Sequence, residues 1–131
     1  MSVVALLLLA QPAFAGPVIN IMGRVPTVCR VSLAGGSSQV AENGARDLGR
    51  LTELCNNVDG YRLVLLHPAG LEDAAVMVDG ERIPIASNST RTVIVDSSHA
   101  DYRNRNLTLL LADNTLGVPI NIEAQPKGMI F

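Results

Sequence analysis

An apolar leader followed by only two cysteines constrains this chain more than any other feature. Residues 3–10 form an uninterrupted apolar run that ends at Gln11-Pro12. Ala13-Phe14-Ala15 then places small residues at the two positions a signal peptidase reads, just ahead of Gly16. Spanning a bilayer takes about 20 apolar residues, so this shorter run reads as a cleaved signal over residues 1–15 and not as an anchor, although no Lys or Arg precedes it. The mature chain, residues 16–131, is then expected to fold outside the cytoplasm, where Cys29 and Cys55 oxidise to each other. Closing a loop of this length contributes about 3.5 kcal/mol in the chain-entropy picture, a large share of a small domain's stability. Leader and cysteines together select a small secreted domain and argue against a cytosolic enzyme.

The mature part has the length of one domain, carries all the ionisable Lys, Arg, Asp and Glu side chains, and has a net charge of -2. It has neither a basic patch nor an acidic tail, so nucleic acid is not an expected partner. Its only aromatic residues are Tyr61, Tyr102 and Phe131. The core must therefore be aliphatic, and stacking sites for sugars or single-stranded nucleic acid are not expected.

Periodicity reads as strands and turns. Ile19, Ile21, Gly23 and Val25 alternate with Asn20, Met22 and Arg24, the period of a half-buried strand. Pro26 interrupts the run, and pairing is expected to resume over residues 28–33. Ala34-Gly35-Gly36-Ser37-Ser38 and Glu42-Asn43-Gly44 read as turns. Residues 47–55 are ambiguous: Leu48, Leu51 and Leu54 have helical spacing, whereas Gly49 and Cys55-Asn56-Asn57 suit an irregular strand. Residues 61–67 are rich in aliphatic residues and stop at Pro68. Asp79-Gly80 between two apolar runs predicts a two-residue hairpin, because a type I′ turn needs positive φ. Pro84 cannot donate to a ladder, so the second arm is expected at a sheet edge. Residues 90–95, 106–112 and 118–124 complete the set, with Asp113-Asn114 read as a hairpin turn between the last two. About seven short strands at roughly ten-residue spacing give an all-β fold, an antiparallel sandwich.

Candidate chemistry is sparse. Cys29 and Cys55 with His67 and His99 match no zinc spacing, and no CxxC redox motif exists. Ser97, Ser98, His99 and Asp101 fall within one loop, whereas a catalytic triad converges from separate elements, and no G-x-S-x-G elbow is present. The acidic set Glu72, Asp73, Asp79 and Glu81 lacks EF-hand spacing and reads as a solvated face. Asn88-Ser89-Thr90 and Asn106-Leu107-Thr108 match the N-glycosylation pattern, which is incidental in a bacterial protein. No catalytic residue, metal ligand or cofactor is assigned.

The stretch Ile19-Asn20-Ile21-Met22-Gly23-Arg24-Val25 followed by Cys29-Arg30-Val31 resembles the opening of a chaperone–usher pilin domain. Asp47-Leu48-Gly49-Arg50-Leu51 is similar to the short Leu-Gly segment of those domains, and Cys55 leading to Gly60-Tyr61-Arg62-Leu63-Val64-Leu65 to their second cysteine and core strand. Spore-coat-U-type secreted domains share this outline. The resemblance implies an immunoglobulin-like sandwich that lacks its last strand. Such a domain receives a strand first from a periplasmic chaperone, then, through an usher, from a neighbouring pilin-like subunit, by β-augmentation. Only Gly16-Pro17-Val18 precede the alternating run in the mature chain, so Ile19, Ile21, Gly23 and Val25 serve either as the first strand or as the donated one.

The leading expectation is a secreted, non-catalytic structural or adhesive subunit in the periplasm or on the surface of a bacterium, not integral to a membrane. A stand-alone periplasmic binding or inhibitor module is the alternative. A small outer-membrane barrel ranks below both, because eight spanning strands and an aromatic girdle need more than this chain offers.

Overall fold

A computed structural model describes residues 16–36, 44–112 and 118–128. The leader, the terminal Phe131 and the turn residues Ser37, Ser38, Glu42, Asn43, Asp113 and Asn114 lie outside that set. Among the described residues there are eight strands and no helix, so none is long and apolar enough to cross a membrane. In chain order they are β1 (Cys29–Gly35), β2 (Ala45–Cys55), β3 (Tyr61–Leu66), β4 (Ala75–Val78), β5 (Glu81–Pro84), β6 (Arg91–Ser97), β7 (Asp101–Leu110) and β8 (Asn121–Pro126). They form an antiparallel sandwich, with β1-β2-β7-β4-β5 in one sheet and β6-β3-β8 in the other.

The core is aliphatic, as the composition requires. Leu51, Leu63, Leu65, Val76, Leu107 and Leu109 are fully buried between the sheets, with Tyr61 as the one large aromatic among them. Each such leucine contributes on the order of 2–5 kcal/mol by the usual cost of its truncation.

Segment 47–55 is a strand with a bulge. Asp47 pairs with Thr108 and Gly49 with Leu107, which leaves Leu48 as the extra residue. The bulge turns Leu48 inward and resets the phase, so that Leu51, Glu53 and Cys55 then alternate into the core while Leu54 faces out. Gly49 takes φ +94, and its N–H donates to the Asp47 carboxylate at 2.8 Å.

The Asp79-Gly80 hairpin forms as expected, with φ of 48 and 85 at its two turn residues. Asp79 also anchors that hairpin to β7. Its N–H donates to the Asn106 carbonyl, and its carboxylate accepts from the Asn106 N–H at 2.8 Å. Pro84 lies on β5, the outer strand of the larger sheet.

Ala34 and Gly35, read as part of a turn, are the last residues of β1, paired with Arg50 and Gly49. Two further expectations fail. Residues 106–112 and 118–124 are not arms of one hairpin: over residues 107–110 β7 is already flanked by β2 and β4, and the chain crosses to the other sheet, where β8 pairs with β3. The alternating run Ile19, Ile21, Gly23 and Val25 is not a strand of this sandwich either. Among the described strands none pairs with it where it precedes β1, and an unpaired strand has no stability of its own.

Candidate functional site

β1 and β8 are both edge strands. β1 bonds only to β2, β8 only to β3, and the two lie against each other across the mouth of the sandwich. Among the described residues, no backbone hydrogen bond links them.

Their inward side chains are apolar but incompletely covered. On β1 these are Cys29, Val31 and Leu33, with Leu33 still 41% exposed. On and before β8 they are Ile120, Ile122 and Ala124, all half-buried. Leu51, fully buried, forms the floor. A cavity of about 90 Å³ opens here, lined by Val31, Leu33, Leu51, Ile120 and Ile122, with Ser32 and Asn121 at its rim. An apolar cavity of ~150 Å³ takes a benzene ring, so this one is sized for a single branched aliphatic side chain.

The outer edges away from this seam are guarded. β5 carries Glu81, Arg82 and Pro84, which discourage further pairing. β6 carries Arg91 and Asp96, and its register to β3 slips between Leu63 and Val64. At the seam the charges point outward instead: Arg30 is exposed, and Glu123 is held by Arg91 at 3.1 Å on the outer face. Asp96 is bridged by Lys127 and, at 3.5 Å, by Arg62. The Lys127 hydrogen bond above all holds its carboxyl below the ordinary aspartate range.

Directly before β1, the sequence-identified residues stand in water. Ile19 is 76% exposed, Ile21 90% and Val25 79%. Apolar side chains at alternate positions are thus displayed beside a seam that lacks apolar cover. Cys29 and Cys55, directly opposed on β1 and β2, form the expected disulfide at the end of the seam where this segment leaves. The next two residues tie down both seam strands. Asn56 bonds the chain entering β1, and the Asn57 amide donates to the carbonyls of Gly60 and Lys127, fixing the chain that leaves β8.

One polar cluster escaped sequence reading. Glu53 is fully buried and pairs with Arg105 Nε at 2.8 Å. Among the described residues, its Oε2 and the Tyr61 hydroxyl have no hydrogen-bond partner. Burial, reinforced by the Glu53 carboxylate, pushes the Tyr61 phenol up to about 12. The available signal was strand phase: Glu53 shares the inward phase of Leu51 and Cys55, and Arg105 that of Leu107 and Leu109.

The remaining candidates fall as separate structural parts. Ser97 Oγ donates to the His99 carbonyl at 2.9 Å, which closes the β6–β7 turn, and His99 is exposed, 3.9 Å from Asp101. His67 is buried at the end of β3, with its ring nitrogens 2.9 Å from the Pro68 carbonyl and 2.8 Å from the Thr92 hydroxyl. Asn88 sits in an exposed turn and Asn106 on β7. Among the described residues, no three His, Cys, Asp or Glu side chains are placed to hold a metal ion. No protein-family model matches the chain, and neither a curated protein nor a solved structure matches it.

Proposed function

We propose that this chain is a secreted, non-catalytic structural subunit of pilin-like type, and that its β1–β8 seam receives a strand from a second copy. The donated strand is the segment bearing Ile19, Ile21, Gly23 and Val25. The observation that carries this reading is the pairing of an uncovered apolar seam with an exposed, alternating apolar segment in the same chain. The free edges of β1 and β8 supply backbone hydrogen bonds, and alternate side chains fill the seam. One aliphatic side chain enters the existing cavity, and the others follow as β1 and β8 part. A periplasmic chaperone that lends such a strand, and an usher that exchanges it, are the partners this mechanism calls for.

Contact between β1 and β8 favours the competing reading, a stand-alone module that closes on itself. A peptide experiment separates the two. The acceptor is the full chain with Ile19→Asp and Ile21→Asp, which cannot donate but keeps its seam. A synthetic peptide of residues 16–27 should raise its thermal midpoint by several degrees, as about 1–2 kcal/mol of linked binding does in a domain of this size. The same peptide with Ile21→Asp should not. Equal response to both peptides, or to neither, contradicts strand donation.

A further inference from the structure

We infer that Asn56 makes strand donation intermolecular by holding the root of the donor segment in line with β1, so that the segment cannot fold back into its own seam. The inference rests on the strand-donation reading and concerns its regulation.

The threat it answers is local. Only Pro26-Thr27-Val28 separate Val25 from Cys29, the first residue of β1. A connection of about three residues is an ordinary hairpin loop. A return on that loop would lay Ile19, Ile21, Gly23 and Val25 along the free edge of β1. A segment tethered so closely competes at an effective concentration in roughly the millimolar range, far above that of separate subunits. Without a block, self-insertion would win.

The block is built from three hydrogen bonds. The Val28 N–H donates to the Asn56 side-chain oxygen at 2.7 Å, and the Asn56 amide donates to the Pro26 carbonyl at 2.9 Å. The Asn56 N–H donates to the Val28 carbonyl at 3.1 Å. Groups on residues 26 and 28 face the same side, toward β2, which is the alternation of an extended chain. The Asn56 side chain thus stands in for the next rung of the β1–β2 ladder. Pro26 adds a fixed φ and has no N–H of its own to bond elsewhere. Turning the chain at residues 26–28 breaks all three bonds, and the neighbouring Cys29–Cys55 disulfide prevents β1 from yielding instead.

Asn56 is exposed, so replacing it leaves the core intact. The test compares the full precursor with its Asn56→Ala and Ile21→Asp variants, each exported to a bacterial periplasm. Native mass and amide hydrogen exchange of residues 19–25 are read on each product. The wild type should give multiples of the subunit, with residues 19–25 unprotected in whatever monomer remains. Asn56→Ala should shift most material to folded monomer in which those amides exchange at least about tenfold more slowly, the mark of self-insertion. Asn56→Asp keeps the acceptor for Val28 and loses the donor to Pro26, so it should fall between them.

If Asn56→Ala assembles like the wild type, or loses stability without protecting residues 19–25, the clamp is refuted while donation stands. If neither the wild type nor Ile21→Asp forms multiples, donation itself fails and the clamp fails with it.

Discussion

Tyr61 is where the interior of this protein meets pH. Its ring is fully buried, its hydroxyl has no hydrogen-bond partner among the described residues, and the Glu53 carboxylate lies close enough to oppose ionisation. The phenol is raised from 10.0 to about 12 in the folded chain, so the folded state favours the protonated form. The stabilisation is complete below pH 10 and drains away as the pH climbs toward 12, an effect of about 3 kcal/mol. Tyr61→Phe should abolish that alkaline loss while changing stability near neutral pH by no more than about 1 kcal/mol, since the hydroxyl it removes is unpartnered. Urea unfolding of both proteins across this pH range checks it. An unchanged alkaline slope in the variant would assign the loss to another group.

At the scale of elements, β2 shows how a bulge shapes both the fold and what can be read from the sequence. Gly49 holds φ +94, and a Cβ there would run into the backbone of Ala34 and Gly36, at the end of β1 paired beside it. Gly49→Ala should therefore cost about 2 kcal/mol or more, measurable as a fall in the thermal midpoint, because backbone cannot retreat as a side chain can. A neutral substitution would mean that β1 is free to move away. The same bulge explains why residues 47–55 were ambiguous. Inserting Leu48 turned a period of two into an apparent period of three, and Leu54, counted with the helical face, points to solvent.

Other elements were plain in the sequence because one local rule decided them, as with Asp79-Gly80 for its hairpin and Pro84 for an edge. The pairing of β8 was hidden because it depends on which strands still have a free edge after the others have bonded. Of the seam, the alternating Ile19, Ile21, Gly23 and Val25 were legible as a pattern, but their lack of a partner was not. The Glu53–Arg105 pair was hidden because charge ordinarily marks the outward phase of a strand.

The molecule as a whole is asymmetric in how it treats its edges. One side of the sandwich is closed off by proline, charge and a register slip, while the other presents half-covered aliphatic side chains on two adjacent edges. Among the described residues the most exposed run of apolar side chains, within residues 18–25, is joined to that second side through a stapled strand. The expected non-catalytic role and the location outside the cytoplasm belong to this same proposal. The disulfide fits an oxidising compartment. The measurement that tests the proposal most directly is the native mass of the wild-type chain after export to a bacterial periplasm, taken by light scattering after size exclusion. Strand donation predicts a ladder of multiples that withstands detergent until heated and that Ile21→Asp collapses to monomer. A wild-type product that is a clean monomer at the mature mass would contradict it.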